Sequence, residues 1–208
     1  MRVQGQRAVM AEIRTRVQKD VWWIILDNPP LNLLTTEMLV QCTAALQKAL
    51  RLSPRLIVLS GIGEQAFCSG VDLPSEKQRS KLLHAARETD VMFSTVRQKK
   101  IPTVALIKGN AFGPGCEIAS LCETIIARED ARFRLPAPNA QVFPSAVTTY
   151  LPSLIGQEQT TFLGQSGKTL SAREALHLGL AHQVLPARRF LQDTEELLIM
   201  LATIGSPA

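Results

Sequence analysis

The sequence predicts an α/β fold, and three observations carry that expectation. Short apolar runs alternate with segments of helical spacing, so that strand–strand–helix units recur along the chain. Several of those runs barely alternate polar with apolar, as strands buried on both faces do. Neither a linker nor a low-complexity stretch interrupts the 208 residues, which is a length one domain with a sizeable core accommodates.

Residues 8–18 open the pattern, with Val9, Ala11, Ile13, Thr15 and Val17 on the two-residue strand period. Val21–Leu26 reads as a second strand, more fully buried, and Asn28-Pro29-Pro30 stops it. Thr35–Leu50 is helical, with Met38, Leu39, Cys42, Ala45, Leu46 and Ala49 on one face. Leu56–Ser60 is a short buried strand, followed by a loop from Gly61 through Asp72. Glu76–Arg97 forms a long helix and Thr103–Ile107 a buried strand. Gly109–Gly115 reads as a glycine-rich turn, with Pro114 suited to the first position of the next helix. Ile125–Ala127 returns to strand, and from Ser145 the spacing is helical. Ser171-Ala172-Arg173-Glu174 has the form of a capping box, and Gly179 closes that helix. Ala181–Leu185 is a last strand before a final amphipathic helix.

Composition narrows the functional classes. Hydrophobic residues at 46% and charged residues at 20% suit a soluble globular protein. The longest apolar run, Val21–Leu26, falls far short of the roughly 20 residues of a membrane span. The polar, arginine-bearing start lacks the apolar block of an export signal, so a cytoplasmic location is expected. The formal charge of +5 gathers near the start, where Arg2, Arg7, Arg14, Arg16 and Lys19 face only Glu12. That permits an anionic partner, yet no basic stripe is interleaved with aromatics, and nucleic acid is not expected. Cys42, Cys68, Cys116 and Cys122 form no CxxC pair and lie near no histidine cluster, which argues against zinc. Cys42 and Cys122 read as buried thiols, and His84, His177 and His182 as surface or helix-face residues.

Two loops carry the chemistry: Ala66-Phe67-Cys68-Ser69-Gly70-Val71-Asp72-Leu73, and Lys108 through Glu117 with the order Gly-Asn-Ala-Phe-Gly-Pro-Gly-Cys between. Small residues in each leave the backbone open to close approach by a ligand. The second presents N–H groups at a helix start, where partial positive charge accumulates. Two such loops face to face are able to hold a carbonyl oxygen as it gains negative charge. Either one alone reads equally as a tight strand–helix connection.

Together, "AFCSGVDL" and "GNAFGPGCEIASLCE" resemble the two signature segments of the crotonase superfamily, the enoyl-CoA hydratase/isomerase group. "NPPLNLL" and "LSAREALHLGLAHQVLP" match it too, so the likeness runs from about residue 10 to 205. Within the group, "NPPLNLL…FCSGVDL" looks most like the cyclic dienoyl-CoA hydratases. The resemblance implies a spiral of ββα units that binds an acyl-CoA thioester as substrate or ligand. It implies no tightly bound cofactor and no metal. Ser69 matches a main-chain oxyanion donor, and Glu117 the first catalytic carboxylate; a capping Glu in a first helical turn is the other reading of Glu117. Cys68, Gly70, Asp72, Leu73 and Gly113 fall on the substrate-binding loops.

Three departures mark this chain within that pattern. The second oxyanion donor position is Pro114, which has no N–H; the neighbouring Gly115 N–H is the substitute if the loop shifts. The second acid position, after "ARFRLP", is Ala137. The chain stops at Ser206-Pro207-Ala208, roughly where the group's C-terminal trimerisation helices begin. A single crotonase-like domain with a shortened C-terminal segment is therefore expected. It would form a trimer-based homo-oligomer or assemble with another protein, and act as a lyase or isomerase with an altered site. The alternative is a crotonase-like pseudoenzyme that binds or assembles without turnover. Lys77, Arg79 and Lys81 read as a solvated helix face rather than a phosphate site, and Trp22-Trp23 as packing.

Overall fold

The computed structural model describes residues 11–72 and 75–204. Residues 8–10, Arg2, Arg7 and Leu73 lie outside the described residues. The described residues begin with a hairpin of β1 (Glu12–Gln18) and β2 (Val21–Asp27), then α1 (Thr36–Leu52). Three units follow in which a strand, a short strand and a helix recur. They are β3 (Leu56–Gly61), β4 (Ala66–Cys68) and α2 (Arg79–Gln98); β5 (Thr103–Ile107), β6 (Asn110–Phe112) and α3 (Pro114–Ser120); and β7 (Thr124–Arg128) with β8 (Arg132–Arg134). A π-helical turn at Ala146–Tyr150, α4 (Leu151–Ile155) and α5 (Gln157–Ser166) complete the third. β9 (Leu170–Ser171), α6 (Ala172–Leu178), β10 (Gln183–Leu185) and α7 (Phe190–Ile204) end the described chain.

The first strand of each unit enters one sheet, ordered β1-β2-β3-β5-β7-β10, and the second enters a smaller sheet, β4-β6-β8-β9. This is the ββα spiral that the resemblance implies. Within the larger sheet every pairing after β1–β2 is parallel. Strand alternation then divides the interior in two. Trp22, Ile24, Ile57, Leu59, Ala105 and Ile107 join the core under α1, α2 and α3. Val21, Val58, Val104 and Leu106 face the other way and pack with Phe190, Leu198 and Ala202 of α7. Among the described residues no helix is long and apolar enough to cross a membrane.

Local signals hold where side chains carry them. Thr35 Oγ1 accepts from Met38 N at 3.1 Å to start α1. The Ser171/Glu174 capping box is present with both bonds. The four thiols are buried and unpaired, and burial pushes Cys42, Cys68 and Cys116 up to about 12. His182 Nδ1 accepts from Ile125 N at 3.1 Å, a structural role. The two glycine loops, however, contain strands: β4 and β6 pair in parallel where continuous loop was expected. Strands of three residues are too short to display an alternating pattern, so tertiary pairing alone defines them.

Asn32 anchors the turn before α1 to the first glycine loop. Its side chain is fully buried; Nδ2 donates to Ile62 O at 2.9 Å and Ala66 O at 2.8 Å, and Oδ1 accepts from Asn28 N at 3.0 Å. Asn32→Ala leaves those groups unmet and should cost on the order of 3 kcal/mol, or roughly 6–12 °C in Tm. Thermal unfolding checks this, and an unchanged Tm would mean that water replaces the amide.

Candidate active site

The two loops meet through their backbones. A Cβ placed on Gly115 would lie 2.0 Å from Cys68 O, so only glycine lets α3 start this close to β4. Gly113 caps α3 and Pro114 occupies its first turn, where a missing N–H costs the helix nothing. Glu117 follows one turn on, its side chain completely buried. Its carboxyl accepts from Val142 N at 3.1 Å on both oxygens and from Phe143 N at 3.1 Å on Oε1. Burial pushes its pKa from an ordinary 4.5 up to about 8; the two amides act against that and the charge of Asp90 adds to it. The carboxyl is therefore mostly protonated at neutral pH.

Asp90, on α2, is a carboxylate that sequence reasoning passed over. Ser145 Oγ donates to its carboxylate at 2.5 Å, so residues 142–145 join Glu117 to Asp90. The only signal available was its place beside the inward stripe of Ala86, Thr89 and Phe93. The Val142 and Phe143 amides left no signal, because main-chain donors have no residue signature.

Ser69 lies where the loop was expected, yet its N–H is committed to Leu31 O at 3.0 Å. It cannot serve as a free oxyanion donor in this conformation. Its hydroxyl, to which no part was given, is buried and unpartnered among the described residues. Val71 N–H, by contrast, has no partner among the described residues. Leu34 N donates to Gly70 O and Asp72 N to Leu34 O, both at 2.9 Å, so the bridged residue Val71 turns its own N–H away from Leu34. Gly115 N–H is likewise without a partner among the described residues. Pro114 is buried and offers none.

A cavity of about 430 Å³ brings Ser69, Gly113, Pro114, Leu135 and Ala137 together. Gly113 leaves open space where a side chain would stand. Glu117 does not line this cavity; its side chain leaves α3 toward the Val142 and Phe143 amides and is buried there. Cys68 turns its thiol inward to Gly70 O at 3.4 Å, so it meets the site through its backbone alone. Asp72 is exposed outside the cavity. Arg79 Nη2 donates to Asn139 O at 2.9 Å, while Lys77 and Lys81 remain exposed, as a solvated face requires.

A ββα spiral with a buried glutamate behind a glycine-rich helix start is the architecture of the crotonase superfamily. The sequence profile of its enoyl-CoA hydratase/isomerase family matches residues 16–206, and the chain belongs to that family. YngF of Bacillus subtilis strain 168, named as an enoyl-CoA hydratase/isomerase, is 32% identical over 193 residues, covering 88% of this chain and 72% of its own. The 2,3-dehydroadipyl-CoA hydratase of Escherichia coli K12 is 29% identical over 198 residues, with 93% and 76% covered. A solved enoyl-CoA hydratase subunit from Geobacillus kaustophilus superposes with a TM-score of 0.78 at 31% identity, over 91% of this chain and 75% of that one.

Linkage gives Glu117 a measurable sign. Its folded pKa of about 8 exceeds the ordinary 4.5, so the native state holds a proton that the unfolded chain releases. The stability this contributes is complete below 4.5 and is lost as pH rises through 8. Glu117→Gln keeps an acceptor for the two amides and does not titrate. Its Tm advantage over the parent should widen by about 5 °C or more from pH 5 to pH 8.5. A constant difference would mean that Glu117 is ionised in the native state.

Proposed function

We propose that this chain binds an acyl-CoA thioester and uses Glu117 as its single acid–base group, in lyase or isomerase chemistry. The buried Glu117 carboxyl, held by the Val142 and Phe143 amides one turn after the glycine loop, is the observation that carries the reading. A carboxyl with a pKa near the working pH both gives and takes a proton readily, which is what proton shuttling along an acyl chain requires. The Escherichia coli relative is by name a 2,3-dehydroadipyl-CoA hydratase, which supports a CoA ester as the substrate class.

The donors for the thioester oxygen are then Val71 N–H and Gly115 N–H, with Ser69 Oγ–H beside them. Pro114 withholds the donor that glycine would supply at its position, and with Ala137 at the second acid position no carboxyl lines the cavity among the described residues. Paired acid–base hydration is thereby disfavoured, and a one-carboxyl proton transfer remains. The reading includes a homo-oligomer or a partner protein that closes the cavity.

A second reading is a binding or assembly protein without turnover. The complete burial of Glu117 and its absence from the cavity wall favour it.

Calorimetric titration with crotonyl-CoA and a cyclic dienoyl-CoA, followed by turnover assays, separates the two. Under the enzyme reading both the parent and Glu117→Gln bind with similar Kd, and the variant loses kcat by about a hundredfold or more. Binding without turnover by the parent selects the second reading, and no binding to either ester refutes the enzyme reading and leaves a fold kept for assembly. The parent's kcat should also fall above about pH 8 as Glu117 ionises. Pro114→Gly restores an N–H and should raise kcat by about tenfold or more. An unchanged or lower rate would show that Val71 and Gly115 already suffice.

A further inference from the structure

On the face of the larger sheet opposite α1, α7 leaves a cleft of about 440 Å³, within the range of roughly 300–1,000 Å³ typical of small-ligand pockets. Its apolar wall comes from Val21, Trp23 and Ile25 of β2, Leu106 of β5, and Leu198 of α7. Four cations line it as well, and three of them are engaged. Arg14 pairs with Glu12 and Asp27, Lys19 with Glu195 at 2.9 Å, and Lys108 with Glu64 at 3.2 Å. Arg16 differs. Its guanidinium lies 4.6 Å above the Trp23 ring, and among the described residues no carboxylate stands within ion-pair reach.

A second feature points to a missing partner. Thr194, on α7, lines the cleft and is only 4% exposed, yet its Oγ1 has no hydrogen-bond partner among the described residues. A buried hydroxyl left unmet is costly, and most in native proteins are satisfied by a neighbour, water or ligand. Together the site offers a cation without a counter-charge, an unmet hydroxyl and an apolar wall with an aromatic face. An apolar protein surface would satisfy only the third of these.

We propose that this cleft binds an amphipathic monoanion, a medium-chain carboxylate of the fatty-acid type. Its chain lies along Trp23, Ile25 and Leu198, its carboxylate pairs with Arg16, and it accepts from the Thr194 hydroxyl once that side chain, whose oxygen is covered in the ligand-free chain, rotates toward the cleft. This site is distinct from the cavity beside Ser69 and Pro114, with which it shares no lining residue.

The test is calorimetric titration of the full chain with decanoate, with decan-1-ol as the uncharged control and Trp fluorescence as a second readout, since Trp23 lines the cleft. Decanoate should bind at least tenfold more tightly than decan-1-ol. Arg16→Gln and Thr194→Val should each weaken decanoate at least fivefold while leaving Tm within a degree or so of the parent, as measured in the absence of ligand. Saturating crotonyl-CoA should leave decanoate binding intact. Equal affinity for the alcohol, or no change in either variant, overturns the proposal. Displacement of decanoate by crotonyl-CoA overturns it too, since the acid would then occupy the Glu117 side. So does sedimentation showing a dimer whose formation blocks decanoate, which would make the cleft a contact between copies.

Discussion

The contact between the Cys68 carbonyl and Gly115 governs the geometry of the whole central region. A Cβ at residue 115 would overlap Cys68 O, so the start of α3 and the end of β4 stay together only while that position carries no side chain. Parallel pairing of β4 with β6 sets the distance between the two loops, and the Gly115 contact sets their angle. Everything downstream inherits this placement: the direction of α3, the burial of Glu117 and the exit of the unpaired N–H groups. The larger sheet beneath supplies rigidity, because β3 and β5 are buried along their full lengths.

Glu117 shows how opposing electrostatic terms settle in a packed interior. Backbone N–H groups of Val142 and Phe143 favour the carboxylate, whereas loss of water and the nearby Asp90 disfavour it. Burial outweighs the two amides, because two neutral donors replace only part of a hydration shell. The segment at 142–145 thereby acts as a strap: its backbone caps Glu117 and its Ser145 hydroxyl holds Asp90. A shift of this strap would move both carboxyls at once, which links α2 to the site beneath α3.

The sheet has two working faces of different character. One packs α1, α2 and α3 over a large core whose loops end at the Glu117 side. The other packs α7 over a smaller apolar patch and leaves part of that patch uncovered. The split follows from the strand period: Trp22 and Trp23, adjacent in sequence, point to opposite faces. Trp22 is core, while Trp23 stays partly buried under Arg16.

Much of the fold was legible in the sequence because it is written in side-chain period and punctuation. The long helices, the buried strands, the Ser171 capping box and the Pro114 helix start all arise from local preferences that neighbours reinforce. The positions Glu117, Pro114 and Ala137 were picked out only through the family resemblance, which assigns roles to residue types in a known order. Hydrogen bonding of the backbone was not legible. That Ser69 spends its N–H on Leu31 while Val71 keeps its own free depends on which strand lies beside the loop. The short strands, the Val142 and Phe143 amides and the approach of Asp90 are also products of pairing between distant segments. Main-chain donors look alike at every non-proline position, so only the tertiary structure decides which of them are satisfied and which are left to meet a ligand.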